Sequence, residues 1–270
     1  MSSSLLAGAE VVYAVPDLHG RLDLLEGALA HTQGAHLVVL GDVIDRGPGS
    51  LECVRLLLEL EQLGLVTLLW GNHEQMAYSA HAWYTRYEEK GELDDLRAAR
   101  SNFRWWQGNG GDALQREAGR FGVENYPPEL VEYFSRLQLM VFVDARGVHT
   151  APPDDVSVLA VHAAPPQPHP DYPDPDTAAL WLRPEDGPFP LPPGVSWSVH
   201  GHTPLPNPRQ IGAQVYTDLG AVRTGRLCLT RLDPGGPREL LVLHAPKATH
   251  RAARPEYPGE LPFRSVFLTS

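Results

Sequence analysis

Three strand-to-helix units follow one another between residues 11 and 75, and each strand ends in polar residues of metal-binding types. The apolar runs 11–15, 36–40 and 66–70 predict buried strands, and segments with helical character follow them. Repeats of this kind favour parallel strands joined by right-handed crossovers. The three polar turns are therefore expected at one edge of a single sheet.

Two helices are predicted between these strands. Leu22, Leu25 and Leu29 recur at helical spacing and predict a helix that ends at about residue 31. A second periodic segment, from about residue 50 to residue 63, predicts another helix, for which Ser50 is a suitable N-cap.

The turn at residues 41–47 concentrates charge in a short stretch. It contains two carboxylates and one guanidinium, those of Asp42, Asp45 and Arg46. Such a group does not suit a core, and the carboxyl edge of the sheet is its natural place. Taken alone, this turn fits a solvated, hydrogen-bonded loop equally well. The polar ends of the other two units favour a functional cluster.

The pattern changes twice after the third unit. Residues from about 75 to 139 are helical in pattern, charged and rich in aromatic side chains, which predicts a helical insertion with most of its aromatics in the core. Within it, the sequence Asn109-Gly110-Gly111-Asp112 breaks the helical pattern and permits a positive-φ turn or a close backbone approach. A β-rich pattern follows from Val141 onward.

Prolines mark one long connection. Eleven of the 26 prolines lie between Pro165 and Pro193, so an extended surface loop is predicted at about 164–194. No internal repeat and no linker rich in glycine and serine is evident. The prediction is therefore a single domain over residues 1–270.

The composition restricts the setting and the partners. A formal net charge of −11 argues against a nucleic-acid surface, which would show a basic face. Two cysteines, Cys53 and Cys228, indicate neither a disulfide framework nor a thiolate metal site. No apolar run approaches the roughly 18 to 20 residues of a membrane span, and the N-terminus does not resemble an export signal. A cytoplasmic protein without a membrane partner is expected.

Candidate metal ligands occur where predicted strands end. They are Asp17, His19, Asp42, Asn72, His162 and His202. Carboxylate, imidazole and amide groups without thiolate suit Mn²⁺, Fe²⁺ or Zn²⁺. Asp42 is central and could bridge two ions, and a pair of ions about 3.5 to 4 Å apart activates water and polarises a phosphoryl oxygen. Each residue alone also fits a structural role, as a satisfied turn, a helix cap or a hydrogen-bonded histidine, but together they favour a metal centre.

Three segments resemble the signature blocks of a known family. They are Asp17-Leu18-His19-Gly20, the turn at 41–47 (Gly-Asp-Val-Ile-Asp-Arg-Gly) and Gly71-Asn72-His73-Glu74. They are similar to those of the phosphoprotein phosphatase family of calcineurin-like metallophosphoesterases, in its bacterial form.

Later segments extend the resemblance from about residue 11 to residue 232. Val161-His162-Ala163-Ala164 and Gly201-His202-Thr203 match the histidine motifs of the family, and Trp181-Leu182-Arg183 resembles its second phosphate-binding arginine. Pro16 and Ala164 stand where the family usually has glycine. Both differences concern the backbone near the site rather than the ligands.

The resemblance implies an α/β fold in which helices flank a β-sandwich and a helical insertion is present. It also implies two divalent ions, with manganese expected first and iron or zinc as alternatives. The first ion would be held by Asp17, His19 and Asp42, and the second by Asp42, Asn72, His162 and His202.

The remaining roles implied by the resemblance concern phosphate and the leaving group. Arg46, Arg183 and Asn72 would contact phosphate oxygens. His73 would be the general acid, with Asp45 orienting its ring and keeping it cationic. His200 is an alternative to His202, because both lie on the same face of an ideal strand. His202 is preferred, since Thr203-Pro204 ends the strand there.

The function implied is that of a phosphoester hydrolase that uses a hydroxide activated by two metals. Its substrates would be phosphoserine, phosphothreonine or phosphotyrosine in proteins, or small phosphoesters. A symmetrical bis(5'-nucleosyl)-tetraphosphatase is the alternative, because that subgroup shares the same blocks and the aromatic insertion could stack a base. A catalytically silent phosphate-binding module is a third hypothesis, against which the Asp45 and His73 pair argues. The oligomeric state stays open.

Overall fold

The structure, a computed structural model, describes residues 11–246, 261 and 263–268. In this part of the chain the strands are β1 (Val12–Val15), β2 (His36–Val39), β3 (Val66–Leu68), β4 (Met140–Asp144), β5 (Gly147–His149), β6 (Ser157–Val161), β7 (Val195–His200), β8 (Arg209–Ile211), β9 (Gln214–Tyr216), β10 (Arg226–Arg231), β11 (Leu240–His244) and β12 (Arg264–Phe267). The helices are α1 (Leu22–Thr32), α2 (Ser50–Gln62), α3 (Asn72–Lys90), α4 (Leu93–Trp106), α5 (Asp112–Glu117), α6 (Pro128–Arg136), α7 (Pro175–Trp181) and α8 (Ala221–Thr224).

These strands form two six-stranded mixed sheets. The order in the first sheet is β12-β11-β10-β1-β2-β3, and the order in the second sheet is β5-β4-β6-β7-β9-β8. In the first sheet β1, β2 and β3 pair in parallel, as the strand-helix repeats predict. The predicted α/β fold, a β-sandwich with flanking helices, is confirmed.

The inner strands β1 and β2 of the first sheet are buried on both faces. Val12 and Ala14 of β1 belong to one apolar cluster with residues of the second sheet, such as Val158, and this cluster is the layer between the sheets. Side chains alternate along a strand, so Val15 and Val39 point the other way, into a larger cluster with α1, α2 and the helices of the insertion. Burial on both faces explains why these strands read as continuous apolar runs.

Helices α3 to α6 occupy the segment between β3 and β4, where the sequence predicts a helical insertion. Helices α4 and α5 are joined by a π-helical segment, Gln107–Gly111, in which Gly110 has a φ of 116°. This is the positive-φ turn that the glycines predict. The assignment of residues 1–270 to a single domain stays a prediction.

The predicted N-cap of α2 was wrong. Gly49 holds that position, and Ser50 is the first helical residue, where its hydroxyl accepts a hydrogen bond from the Asp45 N–H at 3.0 Å. The first N–H groups of a helix need acceptors from outside it. Here the carboxylate of Glu117, 67 residues away from Ser50, accepts from the N–H groups of Ser50 and Leu51.

The loop predicted at 164–194 was also wrong in part, because it contains α7. Pro175 occupies the first helical turn, where no N–H is needed. The Asp174 carboxylate accepts from the Thr177 N–H at 2.7 Å and caps the helix. The stretch from Pro175 to the next proline, at 184, is long enough for this helix of seven residues.

Three short strands have no clear counterpart in the sequence pattern. They are β5, β8 and β12, and all three lie in edge positions of the sheets. Part of the C-terminal tail from Pro246 and the N-terminal segment, for which no export signal is predicted, lie outside the described residues. Among the helices that the structure describes, none combines the length and the apolar character needed to cross a membrane.

Asp144 closes the hairpin between β4 and β5. Its carboxylate accepts from the N–H of Arg146 at 2.7 Å and contacts the His149 ring at 2.8 Å. Burial alone would raise the pKa of Asp144, but the hydrogen bonds from His149 and Arg146 lower it to about 2. Because this pKa lies below the unfolded value, the carboxylate stabilises the fold above about pH 4, and the contribution disappears as the pH falls toward 2.

Replacing Asp144 with asparagine should therefore lower the free energy of unfolding by about 1 kcal/mol at neutral pH and have little effect near pH 2. Urea denaturation at both pH values measures the difference. The matched control is Asp154→Asn, which changes an exposed carboxylate in the following turn and should have little effect at either pH. An equal loss at both pH values would show that the charge of Asp144 is not what matters.

Candidate metal centre

The polar turns meet at one end of the sandwich. The His19 N–H donates to the Asp42 carbonyl at 2.8 Å, which joins the turns after β1 and β2. The His73 N–H donates to Oδ1 of Asp42 at 3.0 Å and brings in the turn after β3. The turn after β7 joins them because the His202 N–H donates to Oδ2 of Asp17 at 2.9 Å. Strand ends that are far apart in the sequence thus share one site.

Asp42 lies at the centre of the predicted ligands. Ligand atoms of His19, Asp42 and His73 form one group, and those of Asp17, Asp42 and His162 form another. Within each group the atoms lie within 4.8 Å of one another. Asp42 is common to both groups, which is the position expected of a residue that bridges two ions. All of these side chains are buried.

Asn72 and His202 complete the set of predicted ligands. The Oδ1 atom of Asn72 lies 3.0 Å from Nε2 of His162 and 2.9 Å from Nδ1 of His202. The structure therefore brings all six predicted ligands together. Their division between a first and a second ion stays a prediction.

The ambiguity between His200 and His202 has a geometric answer. His200 lies within β7, where Nε2 is 2.7 Å from the Ser198 hydroxyl and Nδ1 is 3.2 Å from the Val161 carbonyl. Its ring nitrogens are thus engaged with neighbouring strand residues. His202 lies past the end of β7 and reaches Asn72. The histidine that approaches the centre is His202.

The charges of this centre fit a bound cation. Burial, followed by the negative charge of Asp218, raises the pKa of Asp17 well above its usual range. Burial, followed by Asp17 and Glu74, does the same for Asp42. Adjacent buried carboxylates are costly unless positive charge compensates them. Divalent ions held by carboxylate, imidazole and amide atoms would supply that charge.

Strained backbone is concentrated at this end of the fold. Few residues other than glycine adopt a positive φ, and such strain often accompanies functional sites. Five of the predicted site residues do so, with φ values between 46° and 75°. They are His19, Asp42, Asp45, Arg46 and His202.

Two arginines border the centre. Nη1 of Arg46 lies 2.8 Å from Nε2 of His19, and Arg46 is an exposed residue. Arg183 is exposed just after α7, and its positive charge contributes, after burial and His162, to lowering the pKa of His202. Arg46 thus contacts a predicted ligand, the charge of Arg183 acts on another, His202, and both arginines are exposed.

His73 and Asp45 form a buried pair. Nδ1 of His73 lies 2.7 Å from Oδ2 of Asp45, and the indole Nε1 of Trp106 donates to the same oxygen at 2.8 Å. Burial, and then the Arg46 guanidinium, lowers the pKa of His73 to about 3. Asp45 was expected to keep this ring cationic. Burial of His73 instead lowers its pKa and favours the neutral imidazole in the protein alone. Sequence reasoning also missed Trp106, whose indole reaches Asp45 from the insertion.

Glu74 is a second residue to which the sequence assigned no role. Its buried carboxylate accepts hydrogen bonds from four backbone N–H groups, those of Asp42 at 2.8 Å, Val43 at 2.9 Å, Ile44 at 3.3 Å and Gly71 at 3.1 Å. Burial raises its pKa to about 7. The side chain therefore holds the turn after β2 against the start of α3. The signal in the sequence was an acid three residues after Gly71, the N-cap of α3, which is the spacing of a capping box.

Replacing Glu74 with glutamine should lower the free energy of unfolding by about 1 to 3 kcal/mol, because an amide cannot accept all four of these hydrogen bonds. Metal affinity should fall about 10- to 100-fold, since the displaced turn carries Asp42. Denaturant unfolding and metal titration measure the two effects. The control is Glu89→Gln, an exposed position on the same helix. If both variants matched the unchanged protein in stability and metal affinity, the hydrogen bonds of the Glu74 carboxylate would have no energetic role.

Asp218 is a third buried residue that the sequence reasoning did not assign. It lies two residues after β9, and its Oδ1 accepts from the Gly220 N–H at 2.7 Å. Burial raises its pKa to about 6, and its charge in turn raises the pKa of Asp17. An acid just after a predicted strand was the signal that could have found it.

Comparison with known proteins of similar sequence and fold supports a metal centre of this kind. A family model described as calcineurin-like phosphoesterase matches residues 11–206. Serine/threonine-protein phosphatase 1 of Salmonella typhimurium is 30% identical over 241 residues, which cover 82% of this chain and 91% of that protein. Bis(5'-nucleosyl)-tetraphosphatase PrpE (asymmetrical) of Oceanobacillus iheyensis is 24% identical over 242 residues, which cover 80% of this chain and 86% of that protein.

A solved structure shares the fold. The cold-active protein-tyrosine phosphatase of a psychrophilic Shewanella species has a TM-score of 0.51 with this chain at 18% identity, over 83% of this chain and 76% of that one. The ligand cluster, the family match over residues 11–206 and the relative at 30% identity agree. The chain belongs to the calcineurin-like phosphoesterase family.

Proposed function

We propose that this phosphoesterase is a protein phosphatase that hydrolyses phosphoserine and phosphothreonine and also accepts phosphotyrosine. The observation that carries the proposal is the convergence of six candidate ligands beside two accessible guanidinium groups. The relative at 30% identity, which is named a serine/threonine-protein phosphatase, supports this substrate class. The proposed substrates are phosphoproteins or small phosphoesters in the cytoplasm, and no nucleic-acid duplex or membrane is proposed as a partner.

The proposed cofactor is a pair of divalent ions, with manganese preferred over iron or zinc. Asp17, His19 and Asp42 would hold one ion, and Asp42, Asn72, His162 and His202 the other. When bound, such ions polarise a phosphoryl oxygen and lower the pKa of water. The donor set fits them because it contains oxygen and imidazole atoms and buried carboxylates that need compensating charge.

The protein's own groups would position the phosphate and protonate the leaving oxygen. Arg46 and Arg183 would bind phosphate oxygens, because a planar guanidinium offers parallel donors, and Asn72 would assist them. Asp45 engages Nδ1 of His73, so Nε2 is the atom that faces the centre, 4.0 Å from Oδ2 of Asp42. A phosphate dianion beside Nε2 favours a proton on that atom, which His73 then donates to the leaving oxygen.

A symmetrical bis(5'-nucleosyl)-tetraphosphatase is the second candidate. The observation that favours it is Trp105, which is 48% exposed and stacks on Trp181 at a centroid distance of 5.6 Å. Trp181 lies edge-to-face with His202 at 6.4 Å, so the pair is close to the candidate metal centre. An exposed indole face is suited to stacking a nucleobase. The relative PrpE is named an asymmetrical tetraphosphatase and a relative matched over 91 residues is named a symmetrical one, so these names support dinucleotide hydrolysis but do not choose between the two types.

One comparative assay separates the two candidates. The manganese-loaded protein is offered a phosphoserine peptide, a dinucleoside tetraphosphate, an aryl phosphate and a cyclic nucleotide under the same conditions. A higher kcat/KM for the peptide supports the protein phosphatase, and a higher value for the dinucleotide supports the tetraphosphatase. The absence of phosphate release from the peptide and from the aryl phosphate would overturn the leading proposal.

A further inference from the structure

We propose that Trp106, which the helical insertion supplies, is a positioning residue for the Asp45 and His73 pair. Its indole N–H donates to Oδ2 of Asp45 at 2.8 Å, and the same oxygen lies 2.7 Å from Nδ1 of His73. The three side chains therefore form a buried chain that ends at the imidazole. This inference rests on the proposed function, because it assigns a role in protonating the leaving group.

The indole is well placed to hold Asp45 because Asp45 has few other partners. Its Oδ1 atom is buried and has no hydrogen-bond partner among the residues that the structure describes. Both side-chain contacts of Asp45 thus involve Oδ2, one with Trp106 and one with His73. Without the indole N–H, the histidine alone would determine how the carboxylate is rotated. The Asp45 carboxylate can orient the His73 imidazole only if another group, here the Trp106 indole, holds the carboxylate in place.

Trp106 itself is rigidly held. It is fully buried and packs among aromatic rings, with centroid distances of 5.3 Å to Phe103, 5.8 Å to Phe121 and 6.1 Å to Tyr126. A Cβ at Gly111 would lie 2.2 Å from the indole ring, so the backbone there approaches the ring as closely as only glycine allows. The ring has no room to turn its N–H away from Asp45.

The same part of the insertion also contacts the phosphate-binding side of the site. The Gly110 carbonyl accepts from the Arg46 N–H at 3.0 Å. A Cβ at Gly110 would lie 2.7 Å from Cγ of Arg46, so this contact is close as well. The end of α4 therefore places Trp106 against Asp45, and the π-helical segment that follows places Gly110 against the neighbouring Arg46. This arrangement gives the insertion a role in ordering the reacting groups.

The decisive variant is Trp106→Phe, which removes the N–H and keeps an aromatic ring in the cluster. Turnover of a phosphoserine peptide, whose alkoxide is a poor leaving group, should fall about 10- to 100-fold, a part of the full worth of a general acid. Turnover of p-nitrophenyl phosphate, which needs little protonation, should change less than about 3-fold. KM and metal content should stay the same, because no phosphate or metal contact is altered.

Phe103→Leu is the matched control for packing. Phe103 contacts Trp106 within the same cluster but makes no hydrogen bond to Asp45, so its loss should destabilise the fold without the leaving-group contrast. The free energy of unfolding of both variants is measured alongside turnover. In a His73→Asn background, Trp106→Phe should have no further effect, since the indole acts through the imidazole. An equal fall for both substrates, or the same contrast in Phe103→Leu, overturns the proposal.

A second measurement separates this inference from the proposed function. The Nδ1 proton of His73 can be followed by NMR, and its resonance reports the hydrogen bond to Asp45. We expect it to shift in Trp106→Phe and to stay in place in Phe103→Leu. An unchanged resonance in Trp106→Phe overturns the positioning role, whatever substrate the enzyme hydrolyses. If the unchanged protein hydrolyses neither peptide nor aryl phosphate but the resonance shifts as expected, the substrate proposal alone fails.

Discussion

Replacing His73 with asparagine should lower the turnover of a phosphoserine peptide by about 10²- to 10⁴-fold, the usual worth of a general acid. The reason is geometric: Asp45 engages Nδ1 at 2.7 Å, and Nε2 is left facing the centre. An aryl phosphate with a good leaving group should be less affected, because its oxygen departs without protonation. Steady-state kinetics on the two substrates measure this contrast.

Metal content must be measured on the same variant. His73 also falls into a group of potential ligand atoms with His19 and Asp42, so a role as a ligand is the competing explanation. A general acid predicts that His73→Asn retains the metal content of the unchanged protein. Loss of an ion, or equal slowing of both substrates, would contradict the assignment of His73 as the acid.

Replacing Asp42 with asparagine should have the largest effect on metal binding. Asp42 is the residue common to both groups of ligand atoms, and it lies 3.5 Å from ring nitrogens of both His19 and His162. Removal of its charge should weaken the binding of both ions. Turnover should fall by at least about 10³-fold, since metal catalysis contributes several kcal/mol. Elemental analysis after dialysis and a phosphatase assay measure the two losses.

Asp17→Asn is the comparison for this variant. Asp17 is a proposed ligand of only one of the two ions, so its replacement should release one ion and leave the other bound. The free energy of unfolding of both variants is also measured in urea. Loss of a buried charge could raise stability even though the same substitution weakens metal binding. If Asp42→Asn retained two ions, or lost no more metal than Asp17→Asn, Asp42 would not be the bridge.

Local patterns were enough to predict the elements that carry the site. The apolar runs that became β1, β2 and β3 are each next to the residues that end them, so the pattern that predicts the strand also places its turn. Parallel pairing then requires the three turns to meet at one edge, and Asp42 contacts residues of both other turns. The six candidate ligands could be named because each stands where a strand ends.

Other features depend on contacts that no local pattern encodes. Trp106 and Asp45 are hydrogen-bonded although they lie 61 positions apart in the sequence. Glu117 and Ser50, at the start of α2, are hydrogen-bonded across 67 positions. Short edge strands such as β5 and β8 form because a neighbouring strand offers them free hydrogen-bonding groups. The helix α7 was missed because proline content describes a segment as a whole and not the gaps between its prolines.

The sequence by itself determined the strand-helix repeats, the edge at which their turns gather and the chemical types of the ligands, because each of these follows from residues close together in the chain. Only the tertiary structure decided that His202 and not His200 approaches Asn72, that Glu74 holds the turn after β2, and that Trp106 reaches Asp45. The physical reason is that hydrogen bonds between buried side chains depend on packing between distant elements, which fixes the direction of each side chain only after the sheets and the insertion have come together.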